Sequence, residues 1–211
     1  MAEWLGEGLQ NLLRWFDPTR NVKDTRVEPA ICARLLELQL RIAALHHLSL
    51  KQMSKQHFYK PVIRWTGNLG NGTASYHSYK RDHTITAANK PPIPASSDPA
   101  SKGDATRYNP EELLVASLSS CHMLWFLHLC ADKGILVTDY VDDPIGEMEE
   151  TANGGGRFKE VILHPIVTIT DASRTDELQA LHDKAHELCF IANSVNFTVR
   201  HEAVGKVGGP Q

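Results

Sequence analysis

Hydrophobic positions along the chain change their period repeatedly, and each change marks an element boundary. In residues 1–52, Trp4, Leu5, Leu9, Leu12, Leu13 and Phe16 recur at helical spacing as far as Asp17 and Pro18. After Pro29 a second periodic run passes through Leu35, Leu36, Leu38, Leu40, Ile42, Leu45 and Leu48. Two amphipathic helices with a polar link follow from that pattern. From residue 58 the period shortens. Tyr59, Val62, Ile63 and Trp65, then Thr73, Ser75, His77 and Tyr79, predict a hairpin turning through the Gly- and Asn-rich residues 67–72. Thr84, Ile85 and Thr86 predict a short third strand, and residues 90–103, with Pro91, Pro92, Pro94 and Pro99, predict a loop.

Residues 109–133 form the longest apolar helix the pattern contains. Asn109 stands at the N-cap, Pro110 at the first helical position and Glu112 where a capping box closes. Gly134 ends it, with Lys133 placed well against the dipole. Leu113, Leu114, Val115, Leu118, Met123, Leu124, Trp125, Phe126, Leu127 and Leu129 leave almost no polar face, so burial nearly all round is expected. Strand patterns follow over residues 135–141 and 145–150, then a turn at 153–156 and one alternating strand over 157–170. A helix is predicted over 174–188, capped by Ser173 or Thr175, with Leu178, Leu181, Ala185 and Leu188 inward. A strand near 195–202 and a loose Gly-Gly-Pro tail close the chain. The order predicts an α+β fold in which antiparallel β-sheets pack on a long buried central helix. It also predicts two parts: a helical N-terminal extension, 1–52, with Met53 as an alternative start, and a domain, 53–211. The extension lacks the cationic region and small-residue cleavage site of a secretory signal.

Composition narrows the chemistry. The 211 residues are 42% hydrophobic and 22% charged, with a net charge of −3, which gives no electrostatic reason to expect nucleic acid or an anionic membrane. No apolar run of the roughly 18 residues that span a bilayer is expected. The four Cys show no Cys-x-x-Cys zinc spacing and are too few for a disulfide scaffold, which points to a reducing, cytoplasmic setting. Ser117, Ser119, Ser120, Cys121 and His122 interrupt the apolar helix. Two readings fit them: small residues and a buried thiol that let helices pack closely, or a thiol site on a rigid element. Cys130, nine residues on and about 180° round the helix, is expected to be a core thiol, and Cys32 to be structural or incidental.

The tract Asn-Pro-Glu-Glu-Leu-Leu…Ser-Ser-Cys-His from Asn109, with His186-x-x-Cys189-Phe-Ile-Ala-Asn-Ser-Val downstream, resembles the OsmC/Ohr family of thiol-dependent peroxidases, in its OsmC-like branch. The resemblance covers residues 57–204 and none of 1–52. It implies that Cys121 is the peroxidatic nucleophile and that Cys189 resolves its sulfenic acid into an intramolecular disulfide. It implies an external dithiol reductant, in the family sometimes a lipoylated protein, organic hydroperoxides as favoured substrates, and no cofactor. The apolar Leu118, Leu124, Trp125 and Phe190 suit such substrates. In the family an Arg activates the nucleophile and a Glu orients the Arg. The Glu corresponds to Glu111, whereas the Arg has no clear counterpart, leaving Lys102, Arg107 and Arg81 as candidate cations. Glu111 and Cys121 lie roughly 15 Å apart on a straight helix. An intertwined homodimer with two sites at its interface follows, unless the helix is broken.

Other assignments compete. His122, His128 and His186 with Cys121 and Cys189 form a possible metal set for a hydrolase or metal-binding protein, though satisfied core or surface histidines are the expectation. His77, Asp82 and His83 could line the mouth of the site, with a solvated hairpin the default. The remaining alternative is a non-catalytic protein of the same fold that binds a small apolar ligand or senses oxidants.

Overall fold

Capping chemistry places the long helix where the sequence predicts it. In the computed structural model, which describes residues 55–209, α1 runs unbroken over Pro110–Asp132. Asn109 Oδ1 accepts from the Glu112 N–H at 2.7 Å, and the Glu112 carboxylate accepts from the Asn109 N–H at 3.1 Å, completing the capping box. Gly134, at φ +69°, supplies the left-handed residue that ends the helix. The two helices expected in 1–52 lie outside the described residues. The chain divides into two units, Met1–Phe58 and Tyr59–Gln211, of which the second is described below.

Burial of α1 differs from the expectation. Only Leu118, His122, Phe126 and Cys130, spaced four apart, are buried, and Leu124 is 63% exposed. Among the described residues, burial is thus confined to one stripe of the helix. By length and composition α1 is apolar enough to cross a membrane, against the expectation that no such run exists. Its inner stripe is nevertheless part of a protein core. Phe126 and Cys130 pack with Ile135, Val167, Ile169, Leu178, Leu181 and Ala185, and Leu118 packs with Val161 and Leu163.

Around α1 lies a long bent hairpin. Its first arm is β4, Val137–Asp142, and β5, Ile145–Glu150; its second is β6, Gly156–Leu163, and β7, Pro165–Ile169. β5 pairs antiparallel with β6, and β4 with β7. The single strand predicted over 157–170 is thus two strands. Pro165 has no N–H for the ladder, and the His164 N–H turns instead to Asp142 Oδ1 at 2.7 Å. Asp142 also accepts from the Ser119 hydroxyl of α1, which ties the bend to the helix.

The second helix, α2, spans Leu178–Leu188 behind a 3-10 turn, Ala172–Glu177. Asp171 caps that turn, accepting from the Ser173 N–H at 2.9 Å, rather than Ser173 or Thr175. After α2 the chain returns as β8, Thr198–His201, and β9, Val204–Val207. These two pair parallel with β6 and β7, so the sheets are mixed rather than antiparallel throughout. A helical crossover is what permits that parallel return.

Ahead of α1, β1 (Val62–Trp65), β2 (His83–Thr86) and β3 (Ile93–Ala95) form a separate antiparallel sheet. The predicted hairpin partner, 73–79, is not a strand. Asn68 Oδ1 accepts from the N–H groups of Gly70 and Gly72 at 2.9 and 3.0 Å, and Ser78 bonds back to Gly72 and Ser75. Such local side-chain bonds compete with a ladder and hold the segment in turns. The Pro-rich loop supplies β3, where Pro94 is tolerated on an edge.

Candidate active site

Two helices carry the two thiols of interest. Cys121 lies mid-way along α1 and is half-buried; Cys189 leaves the C-terminus of α2 and is buried. Both are free thiols. The short turn Ala192–Ser194 folds back so that the Ala192 N–H points at the Cys189 sulfur, 3.4 Å away. Burial pushes the Cys189 thiol up to about 11; the Ala192 and Ile191 N–H groups pull against that, and the adjacent Cys121 thiol adds to it. The two thiols are therefore neighbours. Aromatic groups border them: Trp125 meets Phe190 edge-on at 5.7 Å, and His128 meets Trp125 at 5.8 Å. Leu124 and Phe190 are largely exposed beside them.

The remaining sequence-predicted site residues do not join this pair within one chain. Because α1 is unbroken, Glu111 stays roughly 15 Å from Cys121 along the axis. One oxygen of Glu111, Oε2, is buried without a partner. Lys102 sits at φ +63° after the turn Pro99–Ser101, and its Nζ lies 2.7 Å from His77 Nδ1. Arg107 is held by Asp104 at 3.3 Å and Asp82 at 3.9 Å. Arg81 lies over the Tyr76 and Tyr79 rings at 4.1 and 4.4 Å and donates to both their carbonyls. Among the described residues, no hydrogen bond or ion pair connects any of these cations to Cys121.

The metal set expected as an alternative does not assemble among the described residues. His128 pairs with Asp132 at 3.5 Å, and His186 lies by His201. Cys130 is the core thiol predicted, its titration raised to about 11 by burial. His122 is not the satisfied histidine expected. Its Nε2 lies 2.9 Å from Nδ1 of His182, whereas its own Nδ1 is buried without a partner. Sequence reasoning passed over His182, although the seven-residue step from His182 to Cys189 puts them on one side of α2. It also missed a cavity of about 280 Å³ on another flank of α1, lined by Ala116, Ser119, Ser120, Met123, Tyr140, Asp142 and Pro144.

Residues 103–203 match the family model described as OsmC-like protein. Among 39 matching chains of known structure, an OsmC-like protein of unknown function from Vibrio cholerae O1 biovar eltor is 32% identical, with a TM-score of 0.65. The match covers 71% of this chain and 100% of that one. The chain belongs to the OsmC-like family. Two further members of this fold are more distant. An organic hydroperoxide resistance protein, OsmC, from Legionella pneumophila is 20% identical, with a TM-score of 0.52 over 72% of this chain and 99% of its own. Another from Elizabethkingia anophelis is 18% identical, with a TM-score of 0.51 over 73% of this chain and 100% of its own. At these identities both speak to the OsmC fold alone. No curated protein matches the chain.

Proposed function

We propose that this OsmC-like protein is a cysteine-based peroxidase that reduces organic hydroperoxides, with hydrogen peroxide as a smaller substrate of the same chemistry, in oxidative-stress defence. The observation that carries the reading is that Cys121, on α1, and Cys189, at the C-terminus of α2, are free and adjacent, with the Trp125–Phe190 aromatic pair beside them. The Cys121 thiolate attacks the outer peroxide oxygen; the O–O bond breaks, ROH leaves after taking a proton, and Cys121 becomes a sulfenic acid. The Cys189 sulfur then attacks the Cys121 sulfur. The S–O bond breaks, the hydroxyl leaves as water with the Cys189 proton, and a disulfide forms. An external dithiol, for which a lipoylated protein is a fitting source, returns both thiols. Leu124, Trp125 and Phe190 offer apolar contact to an organic tail. The Legionella and Elizabethkingia relatives carry names of organic hydroperoxide resistance.

A cation must favour the Cys121 thiolate, and a second copy of the chain is its proposed source. Arg107 already faces two carboxylates, whereas Lys102 meets the His77 imidazole and the Tyr76 ring but, among the described residues, no carboxylate, so Lys102 is the freer of the two to act. Glu111, with one buried oxygen unpaired, is the proposed orienting carboxylate. The partly exposed flanks of α1 and the exposed edge strand β1 belong to the same chain, which suits a two-fold homodimer in the cytoplasm. Thiol counting tests the whole reading. One equivalent of cumene hydroperoxide should remove two thiols from the reduced wild type and none through a disulfide in Cys189→Ser, while Cys121→Ser should consume no peroxide. Peroxide loss that persists in Cys121→Ser would sink it. A competing role as an oxidant sensor draws on the raised Cys189 titration, which slows resolution; it requires disulfide formation without turnover in excess dithiol.

A further inference from the structure

Between the two thiol-bearing helices lies a contact that the peroxidase cycle leaves unused. His122 follows Cys121 directly on α1, and His182 precedes Cys189 by two turns of α2. Both rings are 1% exposed, and His122 Nε2 stands 2.9 Å from His182 Nδ1. Among the described residues this is the one side-chain hydrogen bond that joins α1 to α2. The His182 ring also stacks on Phe126, centroids 3.9 Å apart, so it is gripped by two α1 side chains one turn apart. An apolar pair of similar volume would pack these helices together without stranding a buried ring nitrogen, as Nδ1 of His122 is stranded. What the polar pair adds is direction. A hydrogen bond fixes the rotation and axial register of α1 against α2, and with them the approach of one sulfur to the other.

We propose that the His122–His182 bond is the positioning contact that aligns Cys189 on the Cys121 sulfur for the resolving step. The inference rests on the peroxidase reading. Attack on the peroxide needs Cys121 and a diffusing substrate, and touches α2 only through the exposed Phe190 beyond its end, so it depends little on the exact register of α2. Resolution needs two protein-bound sulfurs in line with the breaking S–O bond, so it depends on the register of both helices. The pair keeps its form over the neutral range. Burial first, then the neighbouring His201 and His186, hold His122 down to about 4; burial, then His122 and His201, hold His182 down to about 3, with Asp183 opposing. His201 of β8 faces both rings at 5.3 and 5.8 Å and is itself held by Asp183 at 3.1 Å and Gln179 at 3.3 Å.

The test separates the two half-steps in the full-length reduced protein. After one equivalent of cumene hydroperoxide, peroxide loss reports the first step. Disulfide formation and dimedone-trapped sulfenic acid, both read by intact-protein mass spectrometry, report the second. His182→Phe retains a ring against Phe126 and removes the bond. It should leave the first step unchanged, slow disulfide formation by roughly tenfold or more, and accumulate the dimedone adduct. His182→Gln, whose amide can bond His122 again, should recover part of that rate. Disulfide formation at the wild-type rate in His182→Phe, or an equal fall in both steps, overturns the proposal. Should circular dichroism show that His182→Phe is unfolded, His122→Gln takes its place with the same two outcomes. A wild type that consumes no peroxide, or consumes it with no loss of thiols, refutes the peroxidase reading itself, and this proposal with it.

Discussion

The body of the protein, α1 to β9, and the arm ahead of it, residues 59–108, bury their surfaces in opposite ways. The body closes two apolar cores, one around Phe126 and Val167 and the other around Leu118 and Val161, and no arm residue belongs to either. The arm's interior is polar. Ser96 donates to Asp82 at 3.2 Å, the Asp104 N–H donates to Ser96 Oγ at 3.1 Å, and Arg107 reaches both carboxylates. Its apolar groups face outward instead. Ile63, Ile85 and Ile93 stand in one register across β1, β2 and β3, with Trp65 on the same face. Part of this chain is thus stable by its own packing, and part is shaped by hydrogen bonds to present an apolar face elsewhere. The thiols lie in the first part; Lys102, Arg107 and the turn-forming residues lie in the second.

The largest effect that tests this contrast is a cavity in the body. Phe126 is wholly buried, stacks on His182 and lies against Tyr140. Phe126→Ala should cost about 3–5 kcal/mol in urea unfolding, a loss typical of truncating a buried aromatic. A smaller cost, near that of a surface change, would mean that the body is not the self-sufficient part. Acid should produce the next effect, again in the body. His122 and His182 titrate at about 4 and about 3 in the fold and near 6.5 when unfolded, so between these limits the unfolded chain binds more protons. Stability therefore rises with pH. It is complete above about 6.5 and falls as the solution is acidified towards the folded values, by up to about 1.4 kcal/mol per pH unit for each imidazole. Urea midpoints measured across that window should drop with acid, and His182→Phe should flatten the slope. A wild-type midpoint flat over the window would contradict neutral burial of the pair.

The same contrast explains what could be read from the chain alone. Capping is local, so Asn109, Glu112 and Gly134 marked the ends of α1 correctly. The family was legible as well, because the motifs around Cys121 and Cys189 are specific, and the family match bears out the fold they implied. Pairing between distant segments was not. The partner of β1 lies beyond a set of Asx and Ser turns that imitate a strand's alternation, and the parallel return of β8 and β9 depends on the α2 crossover. His182 escaped notice because a polar residue on an apolar helix face reads as a break in the pattern until its partner on another helix is known. Burial around α1 was overestimated because an apolar flank carries no sign of what, if anything, covers it.

The smallest change in stability, and the sharpest cut between the two regions, should come from Ile63→Lys. Ile63 is 61% exposed and pairs with Ile85 on a strand exposed at every position. Neither core of the body contains it, so the folded body should lose no more than roughly 0.5 kcal/mol. Association should respond quite differently. A lysine in the Ile63–Ile85–Ile93 row places a charge on the face proposed to meet a second subunit, where it must shed its water. Sedimentation should show a dimer in the wild type and a monomer in Ile63→Lys at the same concentration, with hydrogen exchange along the buried stripe of α1 unaltered. The variant should also lose peroxide turnover while keeping both thiols titratable, because the cation proposed for Cys121 would no longer arrive. A variant that stays dimeric, or a monomeric one that turns over as the wild type does, would place the missing charge within the chain and leave the arm's apolar face without a role at the thiols.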